Sequence, residues 1–346
     1  MVFSYYIYKY PYKISWHIKS LFGLDNIAFY CADPLDYEMF EHINKYLPKV
    51  TIIAKNKKTK IYLSAKGINY KTMPVFPKVV IMGRHEHYKF DVKRIIKIGF
   101  DHGLYQFKRW TSNKYYNGFD VYFVSSQDQV EIAKKRGIKS TVAIGYPKLD
   151  NAFNGTYNDE YLNKIRLRHN INSSKKTIIF TTTWNVDGLS AIEKWIYRIN
   201  ELTDDFNILL TAHTWTEPKL LNELKNIKNA VFLEEFDITP YLMIADIFVG
   251  DYNSLIGEFC SFDKPIITFK VPDSDRSIPE VKELIKKISI QIDEFSEIKE
   301  AINKCIQFPT EKSEERQKAN KILFYKLDGL AGKRAADIIL NLMENK

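Results

Sequence analysis

The chain has 346 residues, 45% hydrophobic and 27% charged, with a net charge of +9 and a pI near 9.1. This is ordinary globular composition, and its longest apolar runs, such as Thr177–Phe180 and Ile266–Phe269, fall far short of the ~20 residues that cross a bilayer. With no small-residue cleavage site near the N-terminus, and with Cys31, Cys260 and Cys305 widely spaced in apolar contexts, a secretion signal, a disulfide framework and a zinc cluster are all excluded as expectations.

The basic surplus calls for an acidic partner, either anionic lipid or a phosphorylated substrate; with no nucleic-acid motif in the chain, nucleic acid is not expected. Residues 1–22 stand apart, interleaving Tyr5, Tyr6, Tyr8, Tyr10, Tyr12 and Trp16 with Lys9, Lys13 and Lys19. Such a segment suits an anionic membrane surface, or it packs its aromatics on the adjoining domain. Pro11 argues against one uninterrupted helix.

Strand-like runs then recur at Ile27–Cys31, Val50–Ala54, Val79–Met82, Ile95–Phe100, Val121–Ser125 and Thr141–Ile144, with a helix at Gln127–Arg136 between the last two. This is the rhythm of a doubly wound α/β domain, taken here as residues 23–150. Gly145-Tyr146-Pro147-Lys148-Leu149-Asp150 breaks it, and a polar stretch follows. The alternation restarts over residues 151–346: strand Thr177–Thr183, helix Leu189–Leu202, strand Ile208–Ala212, helix Glu217–Lys225, strand Val231–Glu234, then strand Ile247–Gly250 and strand Ile266–Phe269 around a helix carrying Leu255, Ile256 and Phe259. A tail helix from Ser296 sets Ile298, Ile302 and Ile306 on one face, and a last helix, Gly332–Met343, is expected to pack back on the N-terminal domain.

Four polar constellations lie where open α/β sheets bind ligands, at the carboxyl ends of these strands. Asp101-His102-Gly103 offers a histidine beside a carboxylate for general-base work, with a glycine that lets a ligand approach. Thr182, Thr183, Trp184 and Asn185 offer hydroxyls and free N–H groups, and His213 with Thr214 offers a donor to a phosphate oxygen. Asp251, Tyr252, Asn253 and Ser254 form a polar turn able to cap a helix, with Glu258 one helical turn beyond Ser254. Arg84-His85-Glu86-His87 has an HxH pattern but no further ligands nearby, so no metal is expected, and no cofactor is called for.

In this order the constellations resemble the CDP-glycerol glycerophosphotransferase family, the teichoic-acid primases and polymerases of the two-domain GT-B type. The matching blocks are Asp101-His102-Gly103-Leu104, Gly145–Asp150, Thr182–Asn185, His213-Thr214, the Asp237–Ile267 block and Asp328-Gly329. The resemblance implies two Rossmann-like domains facing across a cleft, and transfer of a polyol phosphate from a CDP-activated donor to a hydroxyl of a lipid-linked or polymeric glycan acceptor at the inner face of the cell membrane. It implies His102 as the base and His213 with the Asn253-Ser254 turn as donor-phosphate contacts. Where the family has tryptophan, arginine, proline and serine, this chain has Asp101, Asn185, Thr214 and Asn253, so a different polyol or a nucleotide-sugar donor stays open, as does a non-catalytic module that binds anionic glycan or membrane. Asp101 is placed to orient His102.

Overall fold

The structure, a computed structural model, describes residues 3–101, 103–104, 112–184, 190–213, 215–272 and 278–345, the side chains of residues 3–6 excepted. It contains two six-stranded sheets, both wholly parallel. Parallel strands are buried on both faces, so they read as continuous apolar runs rather than as alternation.

The first sheet has the order β2-β1-β3-β4-β5-β6, with β1 at Asp25–Cys31, β2 at Val50–Ala54, β3 at Pro77–Met82, β4 at Ile96–Phe100, β5 at Val121–Val124 and β6 at Thr141–Ala143. Each expected run is a strand, within two residues at either end. The N-terminal segment is one continuous helix, α1 (Phe3–Ser20), which corrects the break expected at Pro11. Pro11 removes a single backbone donor and lies on the exposed side, where water reaches the released carbonyl. The opposite side is anchored: Tyr12 Oη donates to Val75 O and Trp16 Nε1 to Pro77 O, both at 2.8 Å.

The Gly145–Asp150 block is explained by packing. Asp150 is buried and accepts the first N–H groups of the C-terminal helix Ala331–Glu344, from Ala331 at 3.0 Å and Gly332 at 2.7 Å. Arg334 Nε donates to Ile144 O at 2.7 Å. At Gly332 a side chain has no room, because a Cβ would stand 2.3 Å from the carbonyl oxygen of His42 in α2 (Pro34–Asn44). Met1–Gly103, Trp110–Asp150 and Phe324–Lys346 thus make one compact unit, and Asn151–Leu323, with Leu104–Arg109, the other.

The second sheet has the order β12-β11-β10-β7-β8-β9, from β7 at Thr177–Thr182, β8 at Asn207–Ala212, β9 at Ala230–Phe232, β10 at Ile247–Gly250, β11 at Ile266–Phe269 and β12 at Ile290–Ile292. Its core gathers Ile178, Phe180, Trp195, Leu210 and Val249 with helix residues such as Ile298 and Ile302. Instead of one helix over Leu189–Leu202 there are two short pieces, Ile192–Trp195 and Ile199–Leu202, the second closed by Thr203 Oγ1 bonding back to Asn200 O. In the helix Ile298–Gln307 the buried face is Ile298, Ala301, Ile302 and Cys305, while Ile306 is exposed: the stripe follows i, i+3, i+4 and i+7 and passes Ile306 by.

Candidate functional site

In the second unit β10, β7 and β8 are neighbours, so their carboxyl ends and the turns after them lie side by side. Asp251, directly after β10, is 1% exposed and joins two of these turns. It accepts from the backbone N–H of Thr183 and of Ala191, both at 2.9 Å, from Thr182 Oγ1 at 3.1 Å and from Asn253 Nδ2 at 3.1 Å. Burial pushes its carboxyl upward in pKa, while these donors act in the opposite direction. Asp251 therefore anchors the turns from inside rather than facing a ligand.

Asn253 is tied down at both ends of its amide. Its Nδ2 also donates to Thr181 Oγ1 at 3.1 Å, and its Oδ1 accepts the N–H of Leu255 at 3.0 Å, which caps the helix Leu255–Cys260. Ser254, also a capping candidate, makes no side-chain cap. Gly250 permits this closeness, since a Cβ there would lie 2.7 Å from Thr181 Oγ1. Tyr252 Oη accepts the N–H of Ile278 at 3.0 Å, and Glu258 is buried on the inner side of its helix.

At the ends of β7 and β8 an aromatic group assembles. The Trp184 ring lies 6.2 Å from that of His213 and 5.1 Å from that of Trp215, edge to face with the latter. The backbone N–H of Trp215 donates to His213 Nδ1 at 3.1 Å, so the neutral imidazole carries its proton on Nε2. Thr182 Oγ1 sits 2.6 Å from Ser190 Oγ. The second unit thus brings Thr182, Thr183, Trp184, His213, Asp251, Tyr252, Asn253 and Ser254 to one edge of its sheet. Asn185 and Thr214 lie outside the described residues.

In the first unit, Asp101 and Gly103 line a recess at the ends of β4, β5 and β6, together with Phe100, Ser125, Gln129 and Tyr146. Asp101 Oδ1 accepts from Tyr122 Oη at 2.6 Å. His102 lies outside the described residues. His85 and His87 belong to other structure: His85 stacks on Tyr122, and His87 Nε2 is 3.0 Å from Tyr115 O. Among the described residues no group of three or more His, Cys, Asp or Glu is placed to hold a metal.

Sequence reasoning missed Trp215, Ser190 and Tyr122. Trp215 had a signal, an aromatic two residues after a strand-end histidine; Tyr122 reads as an ordinary strand residue, and only the register of β5 on β4 reveals its role.

The model of the family CDP-Glycerol:Poly(glycerophosphate) glycerophosphotransferase matches residues 94–341. The teichoic acid poly(glycerol phosphate) polymerase of Bacillus spizizenii is 30% identical over 144 residues, 39% of this chain and 36% of that protein. The teichoic acid glycerol-phosphate transferase of Staphylococcus aureus is 29% identical over 188 residues, 48% of this chain and 47% of that protein. The chain thus matches less than half the length of these curated relatives. In fold it is similar to the wall teichoic acid polymerase TagF, with a TM-score of 0.68 at 18% identity over 93% of this chain and 90% of that one. It is also similar to UDP-GlcNAc 2-epimerase from Neisseria meningitidis, with a TM-score of 0.61 at 13% identity over 91% of this chain and 100% of that one. With more than half of its length matched, the chain belongs to the CDP-Glycerol:Poly(glycerophosphate) glycerophosphotransferase family.

Proposed function

We propose that this chain transfers a polyol phosphate, glycerol phosphate in the first instance, from a CDP-activated donor to a hydroxyl of a lipid-linked or polymeric glycan acceptor, releasing CMP. The observation that carries the reading is the edge of the second sheet, where His213, the Thr182–Trp184 turn and the Asn253-Ser254 turn are held together around the buried Asp251. Such an edge is polar, and its Asp251 carboxylate is turned inward onto the two turns, which suits a diphosphate.

In this reading the acceptor hydroxyl loses its proton to His102 as its oxygen attacks the distal phosphorus of the donor. The bond from that phosphorus to the bridging oxygen breaks, and the electron pair leaves with CMP. His213, its Nδ1 occupied by the Trp215 N–H, presents Nε2–H to a phosphate oxygen and stabilises the charge that grows on the leaving group. Positioning and charge stabilisation supply most of the acceleration in such transfers. Asp101, Gly103 and the recess beside them serve the acceptor.

The acceptor's lipid calls for a membrane surface, and α1 supports one. Its Tyr8, Tyr12 and Trp16 side is packed inward, while Ile7, Tyr10, Ile14 and Ile18, continued by Leu21 and Phe22, form a stripe 54 to 85% exposed. The charge is divided in the same sense: the first unit holds 27 Lys+Arg against 15 Asp+Glu, a net of +12, and the second 24 against 27, a net of −3. An apolar stripe on the basic unit fits the interface of an anionic bilayer. No described helix is long and apolar enough to cross one.

Equilibrium binding tests the donor side. CMP and CDP-glycerol are expected to bind the purified chain, with His213→Ala weakening both at least tenfold, whereas UMP and GDP bind far more weakly; equal binding of all nucleotides, or of none, would overturn the reading.

A further inference from the structure

Tyr122 is wholly buried in the core of the first unit, yet its hydroxyl reaches the surface recess at Asp101. It does so across β4. In the β4–β5 register Gly99 is the partner of Tyr122, and a Cβ on Gly99 would lie 2.3 Å from Tyr122 Cδ2. Only glycine lets the tyrosine ring lie over that strand. The ring is confined on its other sides: His85 stacks on it at 5.6 Å with planes 12° apart, and Tyr116 and Phe119 meet it edge-on at 5.0 and 5.3 Å.

A phenol fixed on so many sides has few rotamers left, so its short bond to Asp101 Oδ1, at 2.6 Å, fixes the carboxylate as well. The cost of burying a tyrosine hydroxyl is offset by this bond, and burial with the adjacent carboxylate drives the phenol far above its ordinary pKa, so it stays a donor. Asp101 is the residue before His102 in the chain.

Resting on the functional reading above, we propose that Tyr122 is a positioning residue: through Asp101 it fixes the end of β4 that immediately precedes His102 in the sequence, with Gly99 as the space that makes this possible. The device is a strand glycine, a cross-strand tyrosine and a strand-end carboxylate. It acts on catalysis without touching the substrate, so removing the hydroxyl lowers turnover and leaves donor binding alone.

The experiment uses the full chain with Tyr122→Phe, Asp101→Ala and the double variant. Steady-state CMP release from CDP-glycerol is read together with hydrogen–deuterium exchange of peptides spanning residues 97–104. Tyr122→Phe is expected to lower kcat roughly tenfold or more with KM for CDP-glycerol unchanged, and the double variant to be no slower than Asp101→Ala, because both changes break one link. Exchange in the 97–104 peptides rises in both single variants and is unchanged in peptides of the second unit. Unaltered exchange in Tyr122→Phe overturns the inference whether or not the enzyme turns over. Losses that multiply in the double variant overturn it too. Absence of CMP release from the unmodified chain, with the exchange change still present, overturns the functional reading and leaves Tyr122 as the clamp on the end of β4.

Discussion

The backbone N–H of Trp215 points at Nδ1 of His213 from 3.1 Å, and this one bond decides which nitrogen of the imidazole can donate. With Nδ1 accepting, the neutral ring holds its proton on Nε2. His213→Ala is expected to lower kcat by about 100-fold, the usual effect of deleting one preorganised donor to a developing anion. His213→Gln, whose amide reaches the Nε2 position, recovers part of that loss, and His213→Asn, which reaches only the Nδ1 position, recovers none. Kinetics of CMP release on the three variants check this, and equal rates for the Gln and Asn variants would contradict it.

Asp251 answers to the fold before it answers to the ligand. Replacing it by alanine strands the N–H groups of Thr183 and Ala191 in a buried site, at a cost of about 3 kcal/mol or more. The denaturant midpoint falls accordingly, and CMP binding falls with it because both turns loosen. Retained stability with lost binding would mean that the carboxylate faces the ligand after all.

His85 makes stability depend on pH. Burial among Tyr116, Phe119 and Tyr122 pushes its pKa down to about 4 from the ordinary 6.5, with the neighbouring His87 adding to the effect. The stabilisation it gives is complete above pH 6.5 and is lost as the pH falls toward 4, because the unfolded chain takes up the proton first. His85→Phe, which keeps the aromatic packing, is therefore expected to narrow the stability lost between pH 7.5 and pH 5 by on the order of 2 kcal/mol. Denaturant titrations at both pH values measure it, and parallel pH profiles for the two proteins would refute the assignment.

Gly332 lies where the C-terminal helix crosses α2. Gly332→Ala places a methyl group against the His42 carbonyl, and overpacking against backbone costs roughly 1–3 kcal/mol. The thermal midpoint drops by several degrees, and an unchanged midpoint would show that the helix can shift outward freely.

The exposed stripe of α1 predicts binding to vesicles that contain anionic phospholipid, weakened by salt. Ile14→Asp with Ile18→Asp abolishes flotation with the vesicles and leaves the thermal midpoint within a degree or two, since neither side chain contributes to the core. Equal flotation of the two proteins would exclude this face as the contact.

Much of this was legible in the sequence because parallel strands announce themselves as apolar runs and end in polar turns. Ile247–Gly250 with Asp251 after it, and Ile208–Ala212 with His213 after it, carried both the α/β alternation and the proposed donor edge. What stayed hidden depends on contacts between distant residues. Nothing local tells that Gly99 faces Tyr122, that Asp251 is consumed by backbone N–H groups 60 and 68 residues away, or that anchors at Val75 and Pro77 hold α1 straight through Pro11. The Gly145–Asp150 block was visible as a motif, but its purpose, receiving the start of a helix 181 residues later, was visible only in space.

The most direct test of the central claim is the nucleotide released when the purified chain is given CDP-glycerol, CDP-ribitol and a panel of nucleotide sugars together with glycerol-phosphate and glycan acceptors. The account predicts CMP from a CDP-polyol, dependent on acceptor and lowered by about 100-fold or more by His102→Ala and by His213→Ala. Release of UMP, UDP or GDP from a nucleotide sugar, or CMP release undiminished by the two substitutions, would contradict it.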